Sequence, residues 1–243
     1  MDHINYDVKK TNLYEQIADN LEQAIMRPEG EAVTRLPSEM ELAKRFNVSR
    51  TVIREGLKLL KERGLIQLRN GGGSYVTKPS PDTVFSAVSR IIHMEHISND
   101  DLHNMRLILE VAAARQAALH AQPEDMEALD SIIESMKDHS LPLAERVGKD
   151  TEFHIILAKA SRNVLLGMFV EVMTMLIKEY MGKGVLIPGG IEDALRRHRA
   201  VLAAVKTKDP DRAEVAIREH LRVSRQNVRL FEDIESKKPK DAE

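Results

Sequence analysis

Residues 36–64 read Leu36-Pro37-Ser38-Glu39-Met40-Glu41-Leu42-Ala43-Lys44-Arg45-Phe46-Asn47-Val48-Ser49-Arg50-Thr51-Val52-Ile53-Arg54-Glu55-Gly56-Leu57-Lys58-Leu59-Leu60-Lys61-Glu62-Arg63-Gly64, and this stretch decides the fold. Ser38 followed three residues later by Glu41 is a capping box that opens a short helix through Met40, Leu42, Ala43 and Phe46. Asn47-Val48 makes a tight turn. Ser49 caps a second helix, whose Val52, Ile53, Gly56, Leu57, Leu59 and Leu60 form the inward side, and Gly64 stops it. Two helices joined by so short a turn form a helix-turn-helix.

Upstream, Leu13, Ile17, Leu21 and Ile25 recur every four residues behind Thr11 as N-cap, which predicts an amphipathic helix ending before Pro28. Downstream of Gly64 the period changes to two. Leu65, Gln67 and Arg69 alternate with Ile66 and Leu68, Asn70-Gly71-Gly72-Gly73 is a turn, and Ser74 to Thr77 returns as a second strand. The hairpin is a β-wing.

From Pro79 onward the pattern is helical. Helices are expected from Ser80-Pro81-Asp82, from Asp101 to about His120, from Pro123, from Leu141 to Ala160 and from the cap Asn163. A loop holding Gly182, Gly184 and Pro188-Gly189-Gly190 follows, then helices over Glu192 to Lys206 and Asp211 to about Phe231. The expected fold is mainly α: a winged helix-turn-helix over residues 1–78, an all-α bundle of about seven helices over 79–232, and a disordered tail over 233–243.

Composition limits the function. The chain has 243 residues, 42% hydrophobic and 30% charged, which is a soluble globular balance. No stretch is long and apolar enough for a membrane span and the acidic start lacks the regions of a signal peptide, so a cytoplasmic protein is expected. Zero cysteines exclude disulfides and thiolate metal sites. The net charge of −2 conceals a basic segment. Residues 33–78 hold ten Lys or Arg against four acids, whereas 1–32 and 79–243 are each acidic by four charges. A basic segment in an acidic chain fits a polyanion-binding surface, or simply a solvated helix face.

A helix-turn-helix lays the start of its second helix against the bases. Here that start is Ser49, Arg50 and Thr51, with Arg54 one turn later on the face of Arg50 and opposite the apolar side. Arginine forks suit guanine edges and phosphates. Asn70, Gly71 and Gly72 would let the wing tip approach a minor groove. The bland alternative is an exposed module whose arginines only pair with Glu55 or Glu62.

Leu36-Pro37-Ser38-Glu39, Val48-Ser49-Arg50-Thr51, Ile53-Arg54-Glu55, Gly64-Leu65-Ile66 and Gly71-Gly72-Gly73-Ser74-Tyr75-Val76 together resemble the winged helix-turn-helix of the GntR family of bacterial transcription regulators. The resemblance implies Arg50 and Arg54 as major-groove contacts and Gly71 in the wing. The family often carries Arg after the Leu-Pro-x-Glu element, where this chain has Met40; that contact is either absent or moved to Arg35 or Arg45.

In the helical part, Asp150 and His154 stand four apart on one helix, while His198 and His220 come from two later ones. A carboxylate and three imidazoles on three helices can converge on a metal inside a bundle, or can be a polar face with satisfied histidines. Arg106-Leu107-x-x-Glu110, Asp150-x-x-Phe153-His154, Ser161-Arg162-Asn163, His198 and Ala216-x-x-x-His220 resemble the FCD-type ligand-binding domain of the FadR branch. That resemblance assigns Asp150, His154, His198 and His220 to a divalent ion (Zn, Ni or Mn) and Arg106 to the acid group of an effector; on residues alone Arg106 is an i, i+4 partner of Glu110. His93, His96, His103, His120 and His139 receive no role. The implied protein is a homodimeric repressor of operator DNA controlled by a small organic acid. A metal-dependent enzyme and an architectural DNA-binding dimer without effector are the alternatives.

Overall fold

The computed structural model describes residues 12–26, 34–69, 73–77, 81–138 and 140–237. Its contacts divide the chain into two compact units, 1–83 and 84–243. The elements run α1 (Leu13–Ile25), α2 (Glu39–Phe46), α3 (Arg50–Glu62), β1 (Ile66–Arg69), β2 (Gly73–Val76), α4 (Pro81–Met94), α5 (Asn99–His120), α6 (Pro123–Lys137), α7 (Leu143–Ala160), α8 (Val164–Val185), α9 (Gly190–Lys206) and α10 (Pro210–Ser236).

In the first unit the expected helix-turn-helix is present. Ser38 Oγ accepts from the Glu41 amide, but Glu41 turns its own carboxylate to Arg45 at 2.6 Å, so only half of the capping box forms. Asn47 takes a left-handed φ of 53°, which reverses the chain in one residue, and Ser49 Oγ accepts from the Val52 amide. Ile17, Leu21, Leu36, Leu42, Ile53, Leu57, Leu60 and Ile66 close one apolar core. Gly56 lets α3 meet α1 closely, since a Cβ there would stand 3.1 Å from the Tyr14 carbonyl oxygen. Arg63 ties the two helices at the rim, 2.8 Å from Asp19 and 2.5 Å from Glu22. The wing is a two-stranded antiparallel sheet with Ile66 opposite Val76 and Arg69 opposite Gly73. Its alternation is imperfect, because Leu68 is exposed rather than buried with Ile66. Thr11 and the wing-tip residues Asn70, Gly71 and Gly72 lie outside the described residues; Asn12 occupies the N-cap of α1.

The second unit is helical throughout its described residues. α5 runs through its middle, packed on α7, α8, α9 and α10, and Ala113, Ala114, Ala117 and Ala118 are buried where these neighbours come close. Ser98 and Asp101 form a complete capping box at its start. Two expectations are corrected. Gly182 and Gly184 are not in a loop but inside α8, and Gly190 begins α9, so the connection shrinks to residues 186–189. The reason is packing: a Cβ on Gly184 would lie 3.0 Å from the Ser224 carbonyl oxygen of α10, and one on Gly190 would lie 2.8 Å from the Gly184 carbonyl oxygen. These glycines serve close helix approach, and only Gly189, with φ of 76°, serves the turn. The expected tail from 233 is likewise helical as far as Ser236, where Lys183 holds Glu232 at 3.0 Å across to α8; residues 238–243 lie outside the described set.

Candidate functional site

The first unit exposes the basic start of its third helix. Ser49, Arg50, Thr51 and Arg54 at the start of α3 are all exposed, as the docking geometry of a recognition helix requires. Arg50 and Arg54 do not pair with Glu55 or Glu62. Both guanidiniums donate to one oxygen of Glu39 at the first turn of α2, Arg54 Nε at 2.8 Å and Arg50 Nη2 at 3.3 Å. Partial burial pushes the Glu39 carboxyl up, and the two guanidiniums outweigh this to hold it below its ordinary value. Glu39 therefore fixes the spacing of the arginine forks, a role that no periodicity in the sequence announces.

Arg35 and Arg69 flank the Tyr75 ring, at 5.4 and 4.5 Å from its centroid, and hold guanidiniums beside the wing. Between them and α3 lies a cleft of about 590 Å³ lined by Ser38, Glu39, Met40, Arg50, Leu68 and Arg69. Met40 is 71% exposed at its mouth, so an apolar side chain stands where the resemblance led one to expect a cation. Arg45 is exposed but engaged by Glu41 on its own helix.

In the second unit α7, α9 and α10 bring Asp150, His154, His198 and His220 together: one ligand atom from each lies within 4.8 Å of every other. The Nε2 atoms of His154 and His220 face each other at 3.2 Å, and His198 Nε2 stands 3.5 Å from Asp150 Oδ1. With metal–nitrogen bonds of about 2.0–2.1 Å, two imidazoles on one ion place their nitrogens about 3.0–3.4 Å apart, so the His154–His220 spacing is that of a shared ion. Phe153 stacks on the His198 ring at 3.8 Å and fixes its plane.

The electrostatics agree with the donor set. Burial, reinforced by neighbouring imidazoles and Arg106, pushes His198 and His220 well below the usual histidine range, leaving lone pairs free to coordinate. Burial pushes the Asp150 carboxyl up. Asp150 Oδ1, both His198 nitrogens and His220 Nδ1 are buried without a hydrogen-bond partner. One ligand atom from each residue comes together, with Asp150 Oδ1 and His198 Nε2 among them lacking any hydrogen-bond partner, so the residues fit a divalent ion.

Arg106 is buried beside this cluster and donates to Glu110, whose other oxygen lies 2.5 Å from His154 Nδ1. Burial would raise the Glu110 carboxyl, yet Arg106 and His154 bring it down to about 2. Glu110 thus stands at the ring nitrogen of His154 turned away from the cluster, where supporting carboxylates of metal-bound imidazoles sit. The i, i+4 pairing of Arg106 with Glu110 was legible; the contact of Glu110 with His154, across forty-four residues of chain, was not. Arg106 keeps one guanidinium nitrogen, Nη1, buried without a partner.

A winged helix-turn-helix with exposed arginines at the start of its second helix, followed in one chain by a helical unit with a buried three-histidine, one-aspartate cluster, is the architecture of a two-domain DNA-binding regulator. Sequence comparison places the family: residues 13–76 match the gntR family of bacterial regulatory proteins and residues 101–223 match the FCD domain. The chain belongs to the gntR family, in the group that carries an FCD domain. It is 32% identical over 222 residues to the HTH-type transcriptional repressor NanR of Cronobacter sakazakii, covering 87% of this chain and 84% of that one. To the repressor of the same name from Salmonella typhimurium it is 31% identical over 226 residues, covering 87% and 82%. Among solved structures, Streptococcus agalactiae GntR superimposes with a TM-score of 0.68 at 28% identity, over 88% of this chain and 99% of that one. Among the described residues no helix is long and apolar enough to cross a membrane.

Proposed function

We propose that this protein is a homodimeric transcriptional repressor of the cytoplasm whose winged units read a pseudo-palindromic operator and whose bundle takes a small organic acid at a metal-centred site. The observation that carries the reading is the convergence of Asp150, His154, His198 and His220 beside buried Arg106, in a chain whose other unit exposes Arg50 and Arg54. Repression follows the names of the relatives.

Zn, Ni or Mn suits these nitrogen and oxygen donors, and when bound supplies a positive centre that an effector carboxylate can join. Arg106, through Nη1, supplies a fixed second charge for the same acid group. Asp150 and His220 border a cavity of only about 10 Å³, room for about one water-sized sphere. An effector therefore enters as the helices lining that cavity, α7 to α10, rearrange, and its differential affinity for the two arrangements is what reaches the DNA-binding units. Two copies are required because a palindromic operator mirrors protein two-fold symmetry.

The test is in three parts. Selection from a random duplex pool should enrich an inverted repeat with half-sites about one helical turn or a multiple apart. Elemental analysis of protein purified without chelator should find one divalent ion per chain. A thermal-shift screen of that protein against hydroxy, keto and sugar acids should find a binder that raises the melting point and changes affinity for the selected duplex. Failure to enrich any sequence overturns the operator reading; an acid that binds equally well to metal-stripped protein overturns the metal-centred one.

A further inference from the structure

On the same helical unit a second cavity, of about 430 Å³, opens between α5 and α10, and neither the metal-site residues nor Arg106 line it. Its α10 wall carries Arg218, Arg222, Arg225 and Arg229, which stand at i, i+4, i+7 and i+11 and so form one stripe along the helix. Its α5 wall is His103, which is 97% buried yet has an Nδ1 without a hydrogen-bond partner, and Leu107. Arg225 Nε is also buried and unpartnered.

The ordinary reading of such a stripe is a solvated helix face neutralised by its own acids, and part of it is so. Arg218 pairs with Glu214 at 2.7 Å, Arg222 with Glu219 at 2.7 Å, and Asp100 takes Arg225 at 2.6 Å and Arg229 at 3.3 Å. Three carboxylates serve four guanidiniums, so the wall retains an excess cation. A solvated face does not explain the concavity. An oxyanion seated in the cavity would meet the guanidiniums of the α10 wall while the apolar Leu107 covers its carbon skeleton.

We propose that this cavity is a second ligand site, separate from the metal cluster, that takes a small organic molecule carrying an oxyanion group, a carboxylate or a phosphate ester. Arg222 and Arg229, each more than half exposed, close on the anion from the rim, with His103 and Arg225 lining the cavity beside them. Their planar forks are suited to two-point contact with either oxyanion. The site does not depend on the metal-centred reading above.

The experiment is isothermal titration of the full-length metal-loaded protein with succinate and with inorganic phosphate, repeated on Arg222→Ala, on Arg229→Ala and on chelator-treated protein whose helicity is checked by circular dichroism. At least one of the two probes should bind saturably with one site per chain, about tenfold more weakly in each arginine variant, the order of one lost charge-assisted hydrogen bond. Binding should survive chelation. Because both substituted side chains are at the surface, their melting points without anion should stay near that of the wild type. Saturable binding that vanishes on chelation and is unchanged in both variants would move the anion to the metal cluster and overturn the proposal. So would the absence of saturable binding by either probe up to about 10 mM, an affinity below any useful ligand site.

Discussion

Nε2 of His220 lies 3.2 Å from Nε2 of His154, two buried nitrogen atoms turned toward each other from α10 and α7. One neutral imidazole can donate to the other only if it gives up coordinating with that nitrogen, and His198 and Asp150 add two more donors that nothing in the bundle satisfies. A cation shared by the four would satisfy these atoms. Removing the ion should therefore lower the melting point, and adding Zn, Ni or Mn back should restore it in the order of affinity, since a ligand bound only by the folded state stabilises by mass action. His198→Ala should show both a lower starting melting point and no response to metal. A melting point indifferent to chelator and to added metal in the wild type would sink the site.

Binding to DNA should depend on Arg50 and Arg54. Either substitution by Ala should cost about 1–3 kcal/mol on a selected duplex if the side chain reads a base, and should flatten preference at the position it contacts. Affinity should also fall steeply with salt as phosphates are neutralised. Fluorescence anisotropy over a salt series checks both, and a flat salt response with unchanged affinity in both variants would exclude α3 as the recognition helix.

Glu39 should act oppositely on affinity and on selectivity. It places a carboxylate beside the exposed arginines of α3, which would repel phosphates, while it bridges the two guanidiniums. Glu39→Ala should raise binding to random duplex and lower the ratio of selected to random affinity. If the ratio does not move, the carboxylate is not a positioning group.

The fold and the site were legible to different depths, for a physical reason. Helix starts depend on local chemistry, so Ser38, Ser49 and Asn163 were readable as caps from their own neighbours. The glycines of α8 were misread because local chemistry gives Gly one meaning, a break, whereas the backbone of Ser224 on a distant helix gives Gly184 another. The same limit applies to the cluster. Asp150 and His154 share a helical face by spacing alone, but that His198 and His220 close on them is tertiary, and resemblance, not periodicity, named the set. The contacts of Glu39 with Arg50 and Arg54, and of Glu110 with His154, escaped because only the fold brings those partners near.

Acid should weaken the protein partly through His103. Burial, reinforced by the charges of Arg106 and Arg225 and opposed by Glu110 and Asp100, pushes this imidazole down to about 4 from its ordinary 6.5. The folded state therefore resists a proton that the unfolded chain accepts. The His103 contribution is fully present above about 6.5 and is lost as pH falls toward about 4, where it levels off. His198 and His220, likewise pushed down by burial, act in the same direction and are shared by any variant at 103. Comparing His103→Gln with the wild type isolates the effect: the melting-point advantage of the wild type over the variant should shrink between pH 7 and pH 4. An advantage that stays constant or grows on acidification would show that His103 is not held neutral.

Glu110 offers the sharpest separation between holding the metal and holding the fold. Its carboxylate is 98% buried between Arg106 and His154 Nδ1. Glu110→Ala leaves the Arg106 charge enclosed without a partner, which should cost about 3–5 kcal/mol of stability whether or not metal is present. Glu110→Gln keeps an amide oxygen that can still accept from Arg106 or from His154 but removes the negative charge beside that imidazole. It should therefore fold at moderate cost and bind metal about 10–100-fold more weakly, the usual effect of losing such a supporting carboxylate. Competition against a chromophoric chelator measures the metal affinity, and denaturation of the chelated protein measures the fold. If Glu110→Gln binds metal as tightly as the wild type, then His154 owes its orientation to packing against Phe153 and its helix rather than to the carboxylate behind it.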